Sequence, residues 1–262
     1  VRLVVLSDIH GNRLALKQAL AQTRSLAPDR LVILGDLFTY GPDVVSVLDQ
    51  LEEAAVAVDT TWIWGNHEEI YDDLQDGRTT YLDTVSDWVR SSVLHTAAQV
   101  PIQRLRGLDW KRELTMEGLL FAHANPFGDW RYINSVGDHV ECVDELTRRG
   151  LRAGIFGHTH RSRLYEHPAG TGATDEHPVR ASLPRAQAGA IVANAGSVGQ
   201  PRNRTARSTI LSVDVTDEGL QFEVHDVDYD VHQHVDELLA MPLPDATKQR
   251  LARFFHLGAD NP

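Results

Sequence analysis

Seven side chains able to hold a cation stand in five short motifs along this chain. Asp8 and His10 lie in S-D-I-H-G-N at 7–12, Asp36 in the G-D pair, Asn66 in G-N-H-E at 65–68, His123 stands alone, and His158 and His160 share G-H-T-H at 157–160. Carboxylate oxygens, imidazole nitrogens and one amide oxygen suit Mn²⁺, Fe²⁺, Ni²⁺ or Zn²⁺ better than Ca²⁺, which prefers oxygen alone. Two ions of four ligands each can be drawn. The first takes Asp8, His10, Asp36 and His160, and the second takes Asp36, Asn66, His123 and His158. Asp36, shared between them, would hold the pair about 3.5–4 Å apart, the separation used in two-metal hydrolysis. The expected cofactor is therefore two divalent ions, Mn²⁺ foremost.

Two such cations lower the pKa of a shared water from near 15.7 toward roughly 7 and stabilise charge on phosphate oxygens, so the chemistry expected is phosphoester hydrolysis. Asp36 and His67 are the catalytic candidates. His67, next to Asn66 but not counted as a ligand, is placed to protonate the leaving group or to hydrogen-bond the phosphate. Asn12, Arg131, Arg202 and Arg204 are candidate substrate contacts, although helix capping accounts for Asn12 better and a solvated loop accounts equally well for Arg202 and Arg204. Glu68 either orients His67 or serves as a first-turn acid.

The elements that must position these groups follow from the apolar pattern. Residues 2–7 form a continuous apolar run, the mark of a strand buried on both faces, and it ends at Asp8. Asn12 opens a helix through Leu26 with Leu16, Ala19, Leu20 and Thr23 at helical spacing, stopped by Pro28 and Asp29. A strand over 31–34 ends in Gly35-Asp36. This βαβ unit places both acidic tips on one carboxyl edge. Pro42 and Asp43 open a second helix, and 56–64 returns as a strand ending in Gly65-Asn66-His67. Residues 68–94 read as helices beside the rim.

Beyond Val100 the pattern shortens, with strands expected over 103–105, 111–116 and 119–122 in a second, antiparallel-style sheet. A helix over 138–149 and a strand over 153–156 deliver the G-H-T-H motif. Further strands, completing that second layer, are expected over 163–166, 190–193, 208–213 and 220–229, with a mobile loop over 167–188 and closing helices over 231–240 and 245–256. The whole length, 1–262, reads as one domain.

At these motifs the chain resembles the calcineurin-like metallophosphoesterase superfamily, and more narrowly its small YfcE-type phosphodiesterases. The pattern D-x-H, G-D, G-N-H-[DE], H and G-H-x-H falls on Asp8/His10, Asp36, Asn66/His67/Glu68, His123 and His158/His160. The stretch 194–202 looks like the subgroup's N-P-G-S-V-G-Q-P-R, with Ala195 in place of the proline, and 35–43 resembles G-D-x-x-x-Y-G-P-D. After His123, Ala124-Asn125-Pro126-Phe127 replaces the G-S-P-R of many relatives, which removes an arginine. The resemblance implies the same ligand set, His67 as catalytic histidine, and a four-layer α/β/β/α sandwich of two mixed sheets flanked by helices. It also implies hydrolysis of small phosphodiesters, with dinucleoside polyphosphate or phosphomonoester hydrolysis and a non-catalytic protein-binding scaffold as the alternatives.

Composition narrows the partners. A formal net charge of −12 repels polyanions and argues against long nucleic acid, while a small phosphoester or nucleotide is still attracted by the local field of bound cations. No apolar run is long enough to span a bilayer, so no membrane partner is expected. The single cysteine, Cys142, excludes an internal disulfide framework and fits a cytoplasmic location. Oligomeric state leaves no trace in the sequence.

Overall fold

The computed structural model describes residues 1–169, 174–203 and 205–256. Its first strand, β1 (Arg2–Leu6), shows why the apolar run is unbroken: Leu3 and Val5 face a core between two sheets, while Val4 and Leu6 face a core under helices. Then come α1 (Arg13–Leu26), β2 (Arg30–Ile33), α2 (Val44–Ala57), β3 (Thr60–Ile63), α3 (Asn66–Gln75), a 3-10 turn (Thr80–Asp83) and α4 (Asp87–Ala97). Asn12 caps α1 by accepting from the Ala15 N–H at 3.0 Å, and Asp43 caps α2 by accepting from Ser46 N–H at 3.0 Å. The rim segment is helical, as expected.

The middle of the chain carries α5 (Ile102–Gly107), β4 (Trp110–Lys111), β5 (Glu113–Met116), β6 (Leu119–Ala122), α6 (Val136–Arg148) and β7 (Ala153–Phe156). The last part adds β8 (Arg163–Pro168), β9 (Asp175–His177), β10 (Arg180–Pro184), β11 (Gly189–Asn194), β12 (Ser208–Val215), β13 (Gly219–Val227), α7 (Val231–Ala240) and α8 (Asp245–Arg253). One sheet runs β10-β13-β12-β1-β2-β3-β4 and the other β5-β6-β7-β11-β8-β9. Both are mixed: β1, β2, β3 and β4 are parallel, as are β6, β7 and β11, and antiparallel strands flank them. Helices α1 and α2 cover the first sheet, and Cys142 and Leu146 of α6 pack on the outer face of the second. This is the four-layer sandwich expected.

Several expectations are corrected. The stretch 111–116 is not one strand: Lys111 ends β4 in the first sheet and Glu113–Met116 form β5 in the second. Strands β12 and β13 join the first sheet rather than completing the second, and the second sheet is mixed rather than antiparallel. Residues 103–105 belong to helix α5, which starts after Pro101 and buries Leu105, rather than to a strand. Val56 and Ala57 complete the last turn of α2, so the following strand begins at Thr60. The stretch 167–188, read as a loop, contains the end of β8 and all of β9 and β10; its residues 170–173 lie outside the described residues. Strand β10 is the edge of its sheet, pairing only with β13 there; it buries only Ala181 and Leu183, and Pro184, which has no N–H to give a ladder, ends it.

Candidate metal centre

The five motifs fall at the carboxyl ends of β1, β2, β3, β6 and β7, on one edge of the two sheets. There the backbone turns sharply. Asp8, His10 and Asp36 take positive φ of 52°, 45° and 54°, and His158 and His160 take 65° and 58°. Such conformations cost about 1–3 kcal/mol each in non-glycine residues and persist only where the surroundings over-determine them. Here Asp8 N–H donates to Gly35 O at 3.1 Å and His10 N–H to Asp36 O at 3.0 Å, which ties the two strand tips together.

Residues 194–199 clamp the same tip from the other side. Val198 N–H donates to Ser7 O, Gly199 N–H to Asp8 O, and Ser197 Oγ to Asp8 O at 2.7 Å. Ala195 donates its own N–H to Phe156 O at 2.8 Å, a bond that a proline there could not make. Gly157 must be glycine because a Cβ would collide with Ser7 Oγ and the Asp8 carboxylate.

All seven expected ligands converge. His160 Nε2 lies 3.2 Å and His10 Nε2 3.8 Å from Asp8 Oδ1; His10 Nε2 lies 3.8 Å and His123 Nε2 3.4 Å from Asp36 Oδ2. Asn66 Oδ1 is 3.1 Å from His123 Nε2. The donors group as Asp8 with His10 and His160, as Asp36 with His123 and His158, and as His10 with Asp36 and His67. All of these carboxylates and imidazoles are buried.

The donor set fits a divalent cation on its own hydrogen bonding. His10 Nδ1 donates to Phe38 O at 2.8 Å and His160 Nδ1 to Gln200 O at 2.7 Å, because a carbonyl oxygen can only accept. Burial holds both rings below the ordinary histidine pKa, so both are neutral. Their Nε2 lone pairs therefore face each other at 3.1 Å, an arrangement that a cation relieves. Asp8 Oδ1 is likewise buried without a hydrogen-bond partner, while Asp8 Oδ2 accepts from Ser7 Oγ at 2.6 Å and His158 N–H at 2.9 Å.

The other donors are set differently. His123 Nδ1 donates to Leu34 O, whereas His158 is turned so that its Nε2 donates to Trp130 O at 2.9 Å and its Nδ1 faces the centre. Burial pushes His158 down to about 3. Burial works against charge on His123 as well, but the Asp36 carboxylate outweighs it and raises the imidazole to about 10. Asp36 stays below the usual carboxylate range despite burial, chiefly through His123.

His67 is buried beside these ligands, its ring edge-on to His10 at 5.1 Å and its Nε2 3.8 Å from Asp36 Oδ2. Its Nδ1 meets Thr39 Oγ1 at 2.7 Å, and Thr39 in turn meets the Tyr71 hydroxyl. Glu68 is the first-turn acid of α3, as one of its two readings had it, and its carboxylate also reaches beyond the helix. The carboxylate accepts from the N–H groups of Asp36, Leu37 and Gly65, and burial followed by the Asp36 charge pushes it up to about 7.

The expected substrate contacts divide. Asn12 spends its oxygen on the α1 cap and its Nδ2 on Gly199 O and the Tyr229 hydroxyl, so it is a structural residue here. Arg131 pairs with Glu141 at 2.8 Å and lies over Phe127, turned to α6 rather than to the centre. Arg204 lies outside the described residues. Arg202 lies near the centre: burial first, and its charge in addition, hold His67 and His160 below the ordinary histidine pKa, its Nε is buried without a hydrogen-bond partner, and its guanidinium also donates to Gln200 Oε1.

Three aromatic rings neighbour the centre; Tyr40 is the tyrosine of the 35–43 stretch, while Trp130 and Tyr132 carried no signal in the sequence. Tyr132 stacks on His158 at 4.2 Å, Tyr40 lies 4.9 Å from the His10 ring, and Trp130 is edge-on to His123. Among the described residues no helix is long and apolar enough to cross a membrane.

Comparison with known proteins agrees with this geometry. Residues 1–162, more than half the chain, match the family described as calcineurin-like phosphoesterase. The uncharacterized protein MJ0912 of Methanocaldococcus jannaschii is 25% identical over 256 residues, covering 95% of this chain and 96% of that protein. A metallophosphoesterase structure from Sphaerobacter thermophilus superposes with a TM-score of 0.73 at 20% identity, over 96% of this chain and 99% of that one. The hypothetical protein PH1004 of Pyrococcus horikoshii OT3 also reaches 0.73, at 17% identity over 98% of both chains. These two structures share the fold.

Proposed function

The chain belongs to the calcineurin-like phosphoesterase family, and from that premise we propose that it hydrolyses small phosphoesters, diesters foremost, with two divalent ions. Asp8, His10, Asp36 and His160 would hold one ion, and Asp36, Asn66, His123 and His158 would hold the other; Mn²⁺ would suit the mixed donors best. One observation carries the reading: two neutral Nε2 lone pairs face each other at 3.1 Å beside an unpartnered buried carboxylate oxygen. When bound, the ions supply Lewis acidity toward phosphate oxygens and make water more acidic.

The chain's own groups do the rest. With Thr39 accepting from Tyr71 and donating to His67 Nδ1, the His67 proton would sit on Nε2, 3.8 Å from Asp36 Oδ2. From there it is donated to the departing ester oxygen. Arg202 meets the remaining phosphate charge, with its buried Nε as a ready donor. The rings of Tyr40 and Tyr132 shield the histidines from bulk water.

Elemental analysis joined to a phosphoester screen on the same Mn²⁺-loaded preparation tests the reading. The expected result is two ions per chain and turnover of small diesters. Turnover of monoesters alone removes the diester reading, and a metal-loaded protein inert toward every ester removes the enzymatic one.

A further inference from the structure

A recess of about 260 Å³ opens directly beside the metal ligand Asn66. Its floor is one face of α3: Asn66, Glu69, Ile70 and Asp73 stand at spacings of three and four, so the helix that delivers the ligand also forms the wall. Tyr81, from the 3-10 turn, and Trp130 also line the recess. Trp130 links the recess to the centre, because its carbonyl accepts from His158 while its indole N–H reaches Glu69 Oε1 at 3.4 Å.

The chemistry of the walls selects a ligand. No Lys, Arg or His lines the recess among the described residues, so a phosphate gains nothing there and stays at the centre. Glu69 and Asp73 offer acceptor oxygens, and each is already paired with an arginine, Arg112 and Arg78 respectively. That pairing offsets the charge that would favour a cationic group and leaves acceptors for neutral N–H donors. The volume falls below the about 300–1,000 Å³ of sites for drug-sized ligands, so it holds a single ring system.

Resting on the phosphoesterase reading, we propose that this recess binds the nucleobase of a nucleotide ester, an amino-bearing base stacked between Tyr81 and Trp130 with its exocyclic N–H groups on Glu69 and Asp73. The substrate class is then nucleotide esters of adenine, cytosine or guanine, with the phosphate at the metal centre and the base held about one helix face away.

Calorimetric titration of the Mn²⁺-loaded protein with product-like ligands tests this without turnover. AMP is expected to bind about ten- to a hundredfold more tightly than ribose 5-phosphate, the worth of stacking one base on aromatic rings. CMP should bind more tightly than UMP, which presents an acceptor where cytosine presents an amine. Tyr81→Ala should reduce AMP to the affinity of ribose 5-phosphate, and Asp73→Ala, at a half-buried position, should erase the preference for CMP over UMP if Tyr81→Ala does not fold. Equal binding of AMP and ribose 5-phosphate overturns the base site and leaves the metal centre standing. Phosphocholine binding more tightly than AMP overturns it in favour of a cationic group. Failure of inorganic phosphate and all of these ligands to bind removes the phosphoesterase reading and this proposal with it.

Discussion

At Asp8, His10 and His160 the donors wait in the form a cation needs: both rings are kept neutral by burial, and both turn Nε2 inward because their Nδ1 atoms are bound to main-chain carbonyls. At Asp36, His123 and His158 they do not. Asp36 keeps a proton on His123, His158 is flipped onto Trp130 O, and the neighbouring Asn66 is a neutral, weaker donor. A cation entering the second cluster must displace a proton, whereas one entering the first displaces none. One edge of one fold thus holds a pre-set half and a half that is completed by its ligand, and stepwise metal titration is expected to fill the Asp8 cluster first.

The most severe test removes the group both halves share. Asp36 lies 3.8 Å from His10 and 3.4 Å from His123, and its other oxygen accepts from His67 N–H at 2.9 Å. Asp36→Asn should lower turnover by far more than the roughly 100-fold that an outer partner costs, with metal lost from both clusters by elemental analysis. Full retention of metal in one cluster would mean that the halves are independent.

His67→Ala addresses chemistry instead of assembly. Turnover should fall by about 10²–10⁴-fold, the reach of general acid catalysis, with metal content unchanged. Equal turnover of the variant and the parent would take His67 out of the mechanism.

Ser7→Ala separates the halves. Ser7 Oγ donates to Asp8 Oδ2 at 2.6 Å, and that carboxylate belongs to the first cluster alone. Metal affinity there should drop by about 10–100-fold, the usual cost of losing an outer-sphere hydrogen bond. The second binding step in the same titration should not move. A shift in both steps would merge the two clusters into one cooperative unit.

The convergence of these donor side chains was legible because each sits at a strand end, where an apolar run stops at a polar motif. The differences between the halves were not. Tautomers depend on carbonyls such as Phe38 O and Trp130 O, which are 28 residues away from the histidines they fix, and the same two-letter motif serves either ring orientation. The Thr39–Tyr71 contact joins hydroxyls 32 positions apart with no periodic signature. Edge strands were missed for a related reason: β10 buries two small or medium side chains, too few to show alternation against a Pro- and Gly-rich background. Glu68 stood in view within its motif, yet its three main-chain partners come from two separate loops.

The smallest expected effect places the substrate's charge relative to the two halves. Arg202 N–H donates to His160 O at 3.1 Å and its charge is felt at His160 and His67, so it belongs to the Asp8 side. Arg131 follows Trp130 on the opposite side and is already engaged with Glu141. A charge-assisted hydrogen bond to phosphate contributes about 1.5–3 kcal/mol, so Arg202→Ala should raise KM about tenfold or more. Arg131→Ala should leave KM within about twofold, because an exposed ion pair contributes little. Steady-state kinetics on one diester decides between them. If the two variants exchanged effects, the phosphate would lie against the half completed by its ligand, and the pre-set half would serve to hold metal alone.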